Sequence, residues 1–442
     1  MVQTILAAIK EHTADGIYHA IRGLIEAGDL APGAALPPIR QLAGGIGVNP
    51  NTLATAYRKL AAAGLTEALG RAGTRVAGRP LAFGGGLLAL AHDARDLASG
   101  SPDPAFLPDP SLFHRHLRPT PRSYGQPMYD AALVAWGADW FAGDGHPPGS
   151  VLIVGGAMDG MERALAVHLR LGDTVAVEEP CFPGTLNLLR QMGLHAVGVE
   201  MDRDGMRPES LERALAQGCK ALIWTPRAHN PTGIDTGSAR AAELAAVLAD
   251  WPEPLLIEDD HYALLSQAPS LSLISPERPR WLVLRSLSKG FGPDLRLALG
   301  LADPITAQRL QLRQSVGARW VSHLLQTLAL GLLQDDSIRQ VLTGAAAHYE
   351  KQRRQLIAAL AQQELVGHGA TGLNVWLPID NDEALAQALA SRGWLVRSGS
   401  NFRVGRPLTA LRITSAVMQD DEIERFVSDL AECLRGGRTS LA

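Results

Sequence analysis

Apolar positions in the first 62 residues recur at helical spacing. Ile17, Ile21 and Leu24 share one helix face; Ile39, Leu42, Ala43 and Ile46 share the face of a second helix, entered through Pro37-Pro38. Gly47 then turns the chain, and Asn49 or Pro50 starts a third helix, since proline suits a first helical turn. Leu53, Ala56, Tyr57 and Leu60 form its apolar stripe, while Asn51, Thr52, Thr55, Arg58 and Lys59 face the other way. Two strands are expected after Leu65, flanking residues 70–75. At about Asp96 the pattern changes. Apolar runs of strand length at 151–154, 174–177, 196–199, 221–224, 255–257, 281–284 and 297–301 now alternate with helical stretches. That alternation predicts an α/β domain around a mainly parallel, seven-stranded sheet, with ligands beyond the carboxyl ends of its strands. The final hundred residues hold more helix, with strands near 373–377 and 411–414, and predict a smaller α+β part.

The expected organisation is a module over 1–78, a linker over 79–95 marked by Pro80 and Gly84-Gly85-Gly86, and a body over 96–442. The body divides into a large part at about 120–330 and a small part at about 331–442. A chain of 442 residues with 46% hydrophobic and 19% charged residues can fill several cores and is not of disordered composition. The net charge of −4 gives no global pull toward nucleic acid, but residues 1–78 carry seven Lys/Arg against five Asp/Glu. A weakly basic module on an acidic body permits DNA binding. Cys181, Cys219 and Cys433 lie far apart with no CxxC, so neither a metal site nor a disulfide framework is expected, and a reducing cytoplasm is. No apolar run approaches the roughly 18 residues that span a bilayer.

Chemistry concentrates where strands end. Ser286-Leu287-Ser288-Lys289, with Arg296 seven residues on, places an amine, two hydroxyls and a guanidinium just past the apolar run 281–284. An aldehyde cofactor carrying a phosphate needs that set: the amine for a Schiff base, the others for the phosphate. Gly155-Gly156-Ala157 follows 151–154 and opens a helix, whose free N–H groups can hold a phosphate. Asn230-Pro231-Thr232-Gly233 follows 221–224, where Asn-Pro is by itself a turn signal. Glu258-Asp259-Asp260 closes 255–257, where one carboxylate can pair with a ring nitrogen, although an acidic residue at a strand end is by itself more often a solvated loop charge. Arg227 and His229 flank the same region; an arginine there suggests an anionic ligand or a surface ion pair.

In this order, the glycine helix, NPTG, Asp-x-x-Tyr and SxSK-x6-Arg resemble the fold-type I pyridoxal 5'-phosphate (PLP) enzymes of the aspartate aminotransferase family, from about residue 96 onward. The resemblance implies that Lys289 is the catalytic amine and that Asp259 pairs the cofactor's ring nitrogen. It also implies that Asn230 and Tyr262 bond the ring oxygen, and that Gly156, Ala157, Ser286, Ser288 and Arg296 hold the phosphate. Phe182 would stack on the ring, and Tyr124 would reach the phosphate of a neighbouring subunit, so a homodimer with shared sites is implied. Arg412 matches the arginine that grips a substrate or effector carboxylate. Gly155 departs from the family by lacking a hydroxyl, and Phe182 by lacking a phenol.

The pattern from Ile17 to Val76 resembles the GntR winged helix-turn-helix, which implies that Arg40, Asn49, Asn51, Thr52, Arg71 and Thr74 contact double-stranded promoter DNA. Pro50 stands where many GntR members carry an arginine. Fusion of the two modules resembles the MocR subgroup of bacterial transcription regulators, and within it the wording TPRAHNPTG, DDHYALLS, RSLSKGFGPDLRLA and WVSHLLQ is similar to regulators of vitamin B6 salvage, so the resemblance implies control of such a gene. The leading expectation is a PLP-responsive regulator, with an amino acid as a further candidate effector. A catalytically active aminotransferase and a passive PLP carrier are the other readings.

Overall fold

The computed structural model describes residues 2–31, 33–62, 65–68, 73–76, 94–117, 120–266 and 270–439. Its N-terminal module holds four helices: α1 (Val2–Ala8), α2 (Ala14–Ala27), α3 (Ile39–Ile46) and α4 (Pro50–Ala62). Thr13 caps α2 by accepting the Gly16 N–H at 3.0 Å. Gly47 ends α3 in the left-handed region at φ 78°, which lets α4 start three residues later. Ile17, Ile21, Leu42, Ala43, Ile46, Leu53, Ala56, Tyr57 and Leu60 meet in one core, as their spacing predicts, with Ile5 of α1 added. Burying each large side chain contributes about 1.5–3 kcal/mol. The Tyr57 hydroxyl donates to Pro37 O at 2.8 Å and fixes α4 against the entry to α3. Strands β1 (Thr66–Ala68) and β2 (Thr74–Val76) pair antiparallel, Thr66 opposite Val76. Arg71 and nearly all of the expected linker lie outside the described residues.

The larger body enters through β3 (Arg95–Asp96), so Arg95 already belongs to a strand. Its main sheet contains β4 (Ser150–Val154), β5 (Thr174–Glu179), β6 (His195–Asp202), β7 (Gly205–Met206), β8 (Ala221–Trp224), β9 (Leu255–Asp259), β10 (Trp281–Ser286) and β11 (Ala298–Ala302). The order is β4-β11-β10-β9-β8-β5-β6-β7. All seven expected strands are there, and β7 is an eighth. It returns from β6 through a turn at Arg203 and Asp204, entering β7 at Gly205 (φ 108°), and two residues are too short to leave a periodic signal. The neighbours β10-β9-β8-β5 run parallel, whereas β11 is antiparallel to both β4 and β10. The carboxyl ends of β4, β5, β8, β9 and β10 therefore lie along one edge.

The smaller sheet runs β12-β15-β14, from β12 (Asn374–Pro378), β14 (Arg397–Ser398) and β15 (Ala410–Thr414), all antiparallel. Beside it β13 (Trp394–Leu395) pairs with β3 in parallel. The 26-residue helix Asp336–Ala361 ties the two parts together: Leu342, Ala345 and Tyr349 join the large core, and Leu356 and Leu360 join the small one. Among the described residues no helix is long and apolar enough to cross a membrane.

Candidate functional site

Lys289 lies in the helix Ser288–Phe291, directly after β10. Its Nζ donates to Gly100 O at 2.7 Å. Burial, then the charge of Arg412, pulls this amine down to about 8, against the opposing pull of Asp259. It is thus poised near neutrality, as a nucleophilic lysine must be. Asp259 ends β9, and burial, followed by the charge of Asp260, pushes its carboxyl up to about 7. Asp259 Oδ1 is buried without a hydrogen-bond partner among the described residues. A ring N–H is the donor that such an orphaned acceptor lacks.

The glycine turn after β4 leads into the helix Ala157–His168, which has no side-chain cap. Gly156 stands at φ 103°, and a Cβ there would come to 3.0 Å from Arg296 Nη2. Arg296 Nη2 donates to Gly155 O at 3.1 Å. The free N–H groups of a helix start beside a guanidinium make a cradle for an anion. Sequence reasoning missed Asp159, whose Oδ2 accepts the Gly155 N–H at 2.8 Å and whose Oδ1 accepts from Arg163 Nε at 2.8 Å. Its signal was its place in the first helical turn. Ser286 Oγ accepts the Ser288 N–H at 3.3 Å, which fixes the turn that presents Lys289.

Asn230 and Arg412 come together: Arg412 Nη1 donates to Asn230 Oδ1 at 3.2 Å, and Nη2 donates to Ala98 O. Arg412 is buried, and burial followed by the charge of Arg397 lowers it to about 9. Tyr262 is buried, and burial pushes its phenol above the ordinary range. Phe182 is half-buried in the loop after β5. Tyr124 is 81% exposed, its ring against Trp320 (5.9 Å) and under Arg319 (5.1 Å).

Arg227 is paired, not open to an anionic ligand: it holds Asp260 through two bonds of 2.7 Å. His229 lies against Thr232 Oγ1 at 2.8 Å and Glu178 Oε2 at 3.4 Å. Burial, then His261, lowers His229 to about 3, and burial raises Glu178 to about 8, so burial favours the neutral form of each. In the N-terminal module Arg40, Asn49 and Asn51 are exposed, whereas Thr52 and Thr74 are half-buried. Asn49 Oδ1 accepts the Asn51 N–H at 2.9 Å, and Lys59 pairs with Asp15 of α2.

The profile of the aminotransferase class I and II family matches residues 116–430, and that of the bacterial regulatory proteins of the gntR family matches residues 13–76. The vitamin B6 salvage pathway transcriptional repressor PtsJ of Salmonella typhimurium is 44% identical over 430 residues, spanning 96% of this chain and 99% of its own length. The HTH-type transcriptional regulator TauR of Rhodobacter capsulatus is 29% identical, over 87% of this chain and 89% of its own. Among solved structures, the α-aminoadipate aminotransferase LysN of Thermus thermophilus, complexed with N-(5'-phosphopyridoxyl)-L-leucine, matches with a TM-score of 0.70 and 24% identity. It covers 80% of this chain and 95% of its own, and shares the fold.

Proposed function

The chain belongs to the aminotransferase class I and II family and carries a gntR-type regulator module at its N-terminus, and from that premise we propose a DNA-binding transcription regulator that responds to PLP. The observation that carries the reading is the pair Lys289 and Asp259, a lowered amine and an orphaned carboxylate oxygen at adjacent strand ends. When bound, PLP supplies an aldehyde for the amine and an electron-withdrawing ring. Lys289 is the attacking amine. Asp259 holds the proton on the ring nitrogen, and Asn230 and Tyr262 orient the ring oxygen. Gly156, Ala157, Ser286, Ser288 and Arg296 take the phosphate, Phe182 covers the ring, and Arg412 takes the carboxylate of an amino-acid effector.

The chain divides into a winged helix-turn-helix over 1–78, a linker over 79–95 and the PLP-binding body. The DNA contacts assigned by this reading are Arg40, Asn49, Asn51, Thr52, Arg71 and Thr74, to double-stranded promoter DNA. The working form is a cytoplasmic homodimer in which Tyr124 reaches the partner's phosphate, a role that its exposure supports. Similarity to PtsJ over nearly the whole chain supports a vitamin B6 salvage gene as target. PLP shifts the DNA affinity only by binding one state better than the other, so the effect is reciprocal.

The test is a gel-shift titration of promoter DNA with and without PLP, comparing wild type with Lys289→Ala. A PLP-dependent, salt-sensitive affinity in the wild type, absent in the variant, supports the reading. No specific complex under either condition overturns it. The intact set Lys289, Asp259 and Arg412 also favours a second reading, a working aminotransferase, which requires multiple turnovers between an amino acid and a 2-oxo acid.

A further inference from the structure

Arg397 and Arg412 stand directly opposite each other on the antiparallel pair β14–β15. Opposed residues project from the same face of a sheet, and like charges so placed repel. The surroundings offset this poorly. Arg397 Nε donates to Ala98 O at 2.8 Å, and Arg412 Nη2 donates to the same carbonyl. Asp96 is the carboxylate that acts on both, and its Oδ1 already accepts the Ala98 and Ser99 N–H groups at 2.7 and 3.0 Å. Two guanidiniums thus share one carbonyl and one engaged carboxylate.

Two of the five N–H donors of Arg412 are engaged, one of Nη1 by Asn230 and one of Nη2 by Ala98. Its Nε is buried with no acceptor among the described residues, on a side chain 2% exposed. A carboxylate drawn to that nitrogen can take a further charge-assisted bond from a neighbouring guanidinium. Arg397 has one to give: among the described residues, its terminal nitrogens make no hydrogen bond. Gly100 (φ 67°) borders the same spot, and any Cβ there would come to 2.8 Å from Arg412 Nη1.

We infer that Arg397 is a second carboxylate-binding residue, and that an α-amino acid or 2-oxo acid is gripped between two guanidiniums. This rests on the reading of the neighbouring pocket as a PLP site, because the ligand amine or carbonyl then faces the cofactor. The carboxylate neutralises the excess positive charge, so a ligand of the same shape without that charge is refused. Arg397 acts on ligand choice and leaves cofactor loading alone.

The experiment uses the full-length, PLP-loaded protein and follows the cofactor's absorbance on titration with 2-methylalanine and with its carboxamide. Wild type binds the carboxylate more tightly than the amide. Arg397→Gln weakens carboxylate binding about 10- to 100-fold, the loss of one charge-assisted hydrogen bond, and narrows the preference over the amide by the same factor, leaving the part that Arg412 supplies. Arg397→Lys, which keeps the charge, restores part of it and shows that the fold tolerates the position. Carboxylate affinity within twofold of wild type in Arg397→Gln, or a wild type indifferent to the charge, overturns the inference. Failure of the PLP reading looks different: no cofactor band forms before any amino acid is added. The same carboxylate-against-amide contrast is then read by calorimetry on the cofactor-free protein, and decides the role of Arg397 there.

Discussion

Arg227 donates from Nε to Asp260 Oδ1 and from Nη2 to Asp260 Oδ2, each at 2.7 Å, and both residues are buried. Burial alone would lift Asp260, but the bonds from Arg227 and the charges of Arg227 and Arg285 hold its carboxyl below the ordinary range. Asp259, one residue earlier, has no such arginine and is pushed up. Removing one partner of a buried pair leaves the other uncompensated. Arg227→Ala is therefore expected to cost about 3 kcal/mol, at the lower end of the range for broken buried pairs, because Arg285 Nε still donates to Asp260 at 3.2 Å. Urea unfolding should show the loss. If the single variant is as stable as wild type, the pair is not structural.

The raised carboxyl of Asp259 has a signed consequence. Its folded value, about 7, lies above the ordinary carboxylate range, so between about pH 4 and 7 the folded state binds more protons than the unfolded. Its contribution is fully present below the unfolded value and is lost as pH rises through 7. Asp259→Asn removes that dependence. The difference in urea midpoint between cofactor-free wild type and Asp259→Asn should shift in favour of the variant from pH 4 to pH 7, then level off. Lys289 has the opposite slope: with its folded value lowered to about 8, stability is gained from about pH 8 to 10 as the buried amine loses its charge. The rate of cofactor capture, followed by absorbance, should likewise rise several-fold between pH 7 and 9.

Asn49 has a role independent of DNA. Its Oδ1 accepts the Asn51 N–H at 2.9 Å, an N-cap on α4. Asn49→Ala should destabilise the N-terminal module by about 1 kcal/mol, and Asn49→Asp should not. Thermal melting of both variants checks this. DNA affinity measured on the same proteins then separates capping from contact, since a base contact is lost in both and the cap only in alanine.

How far the chain could be read follows from the range of each signal. Strands β4, β5, β8, β9 and β10 are buried almost throughout, which writes them as apolar runs. The stripe Leu53, Ala56, Tyr57 and Leu60 was equally plain, because helix period is local. Motif residues such as Lys289 and Asp259 stand beside the strand ends that position them. The opposition of Arg397 and Arg412 depends on strand register. The bond from Lys289 to Gly100 joins residues 189 apart in sequence, and the clamp from Arg227 to Asp260 joins residues 33 apart. No local pattern encodes those. Gly100 carried no signal at all, since its nearness to Arg412 is a tertiary contact between segments far apart in sequence.

Gly156 separates backbone requirement from contact at the anion cradle. It sits at φ 103°, ψ 163°, a region essentially restricted to glycine, where another residue costs about 1–3 kcal/mol. Its missing Cβ is also what lets Arg296 Nη2 approach. Gly156→Ala should therefore strain the turn and displace the guanidinium together, weakening PLP about tenfold or more by absorbance titration. Gly172→Ala is the control. Its φ of 88° is also positive, but nothing lies within 4 Å of the added Cβ. Its stability should fall while PLP affinity holds. Equal PLP affinity in the two variants would mean that the cradle at Gly156 does not hold the phosphate.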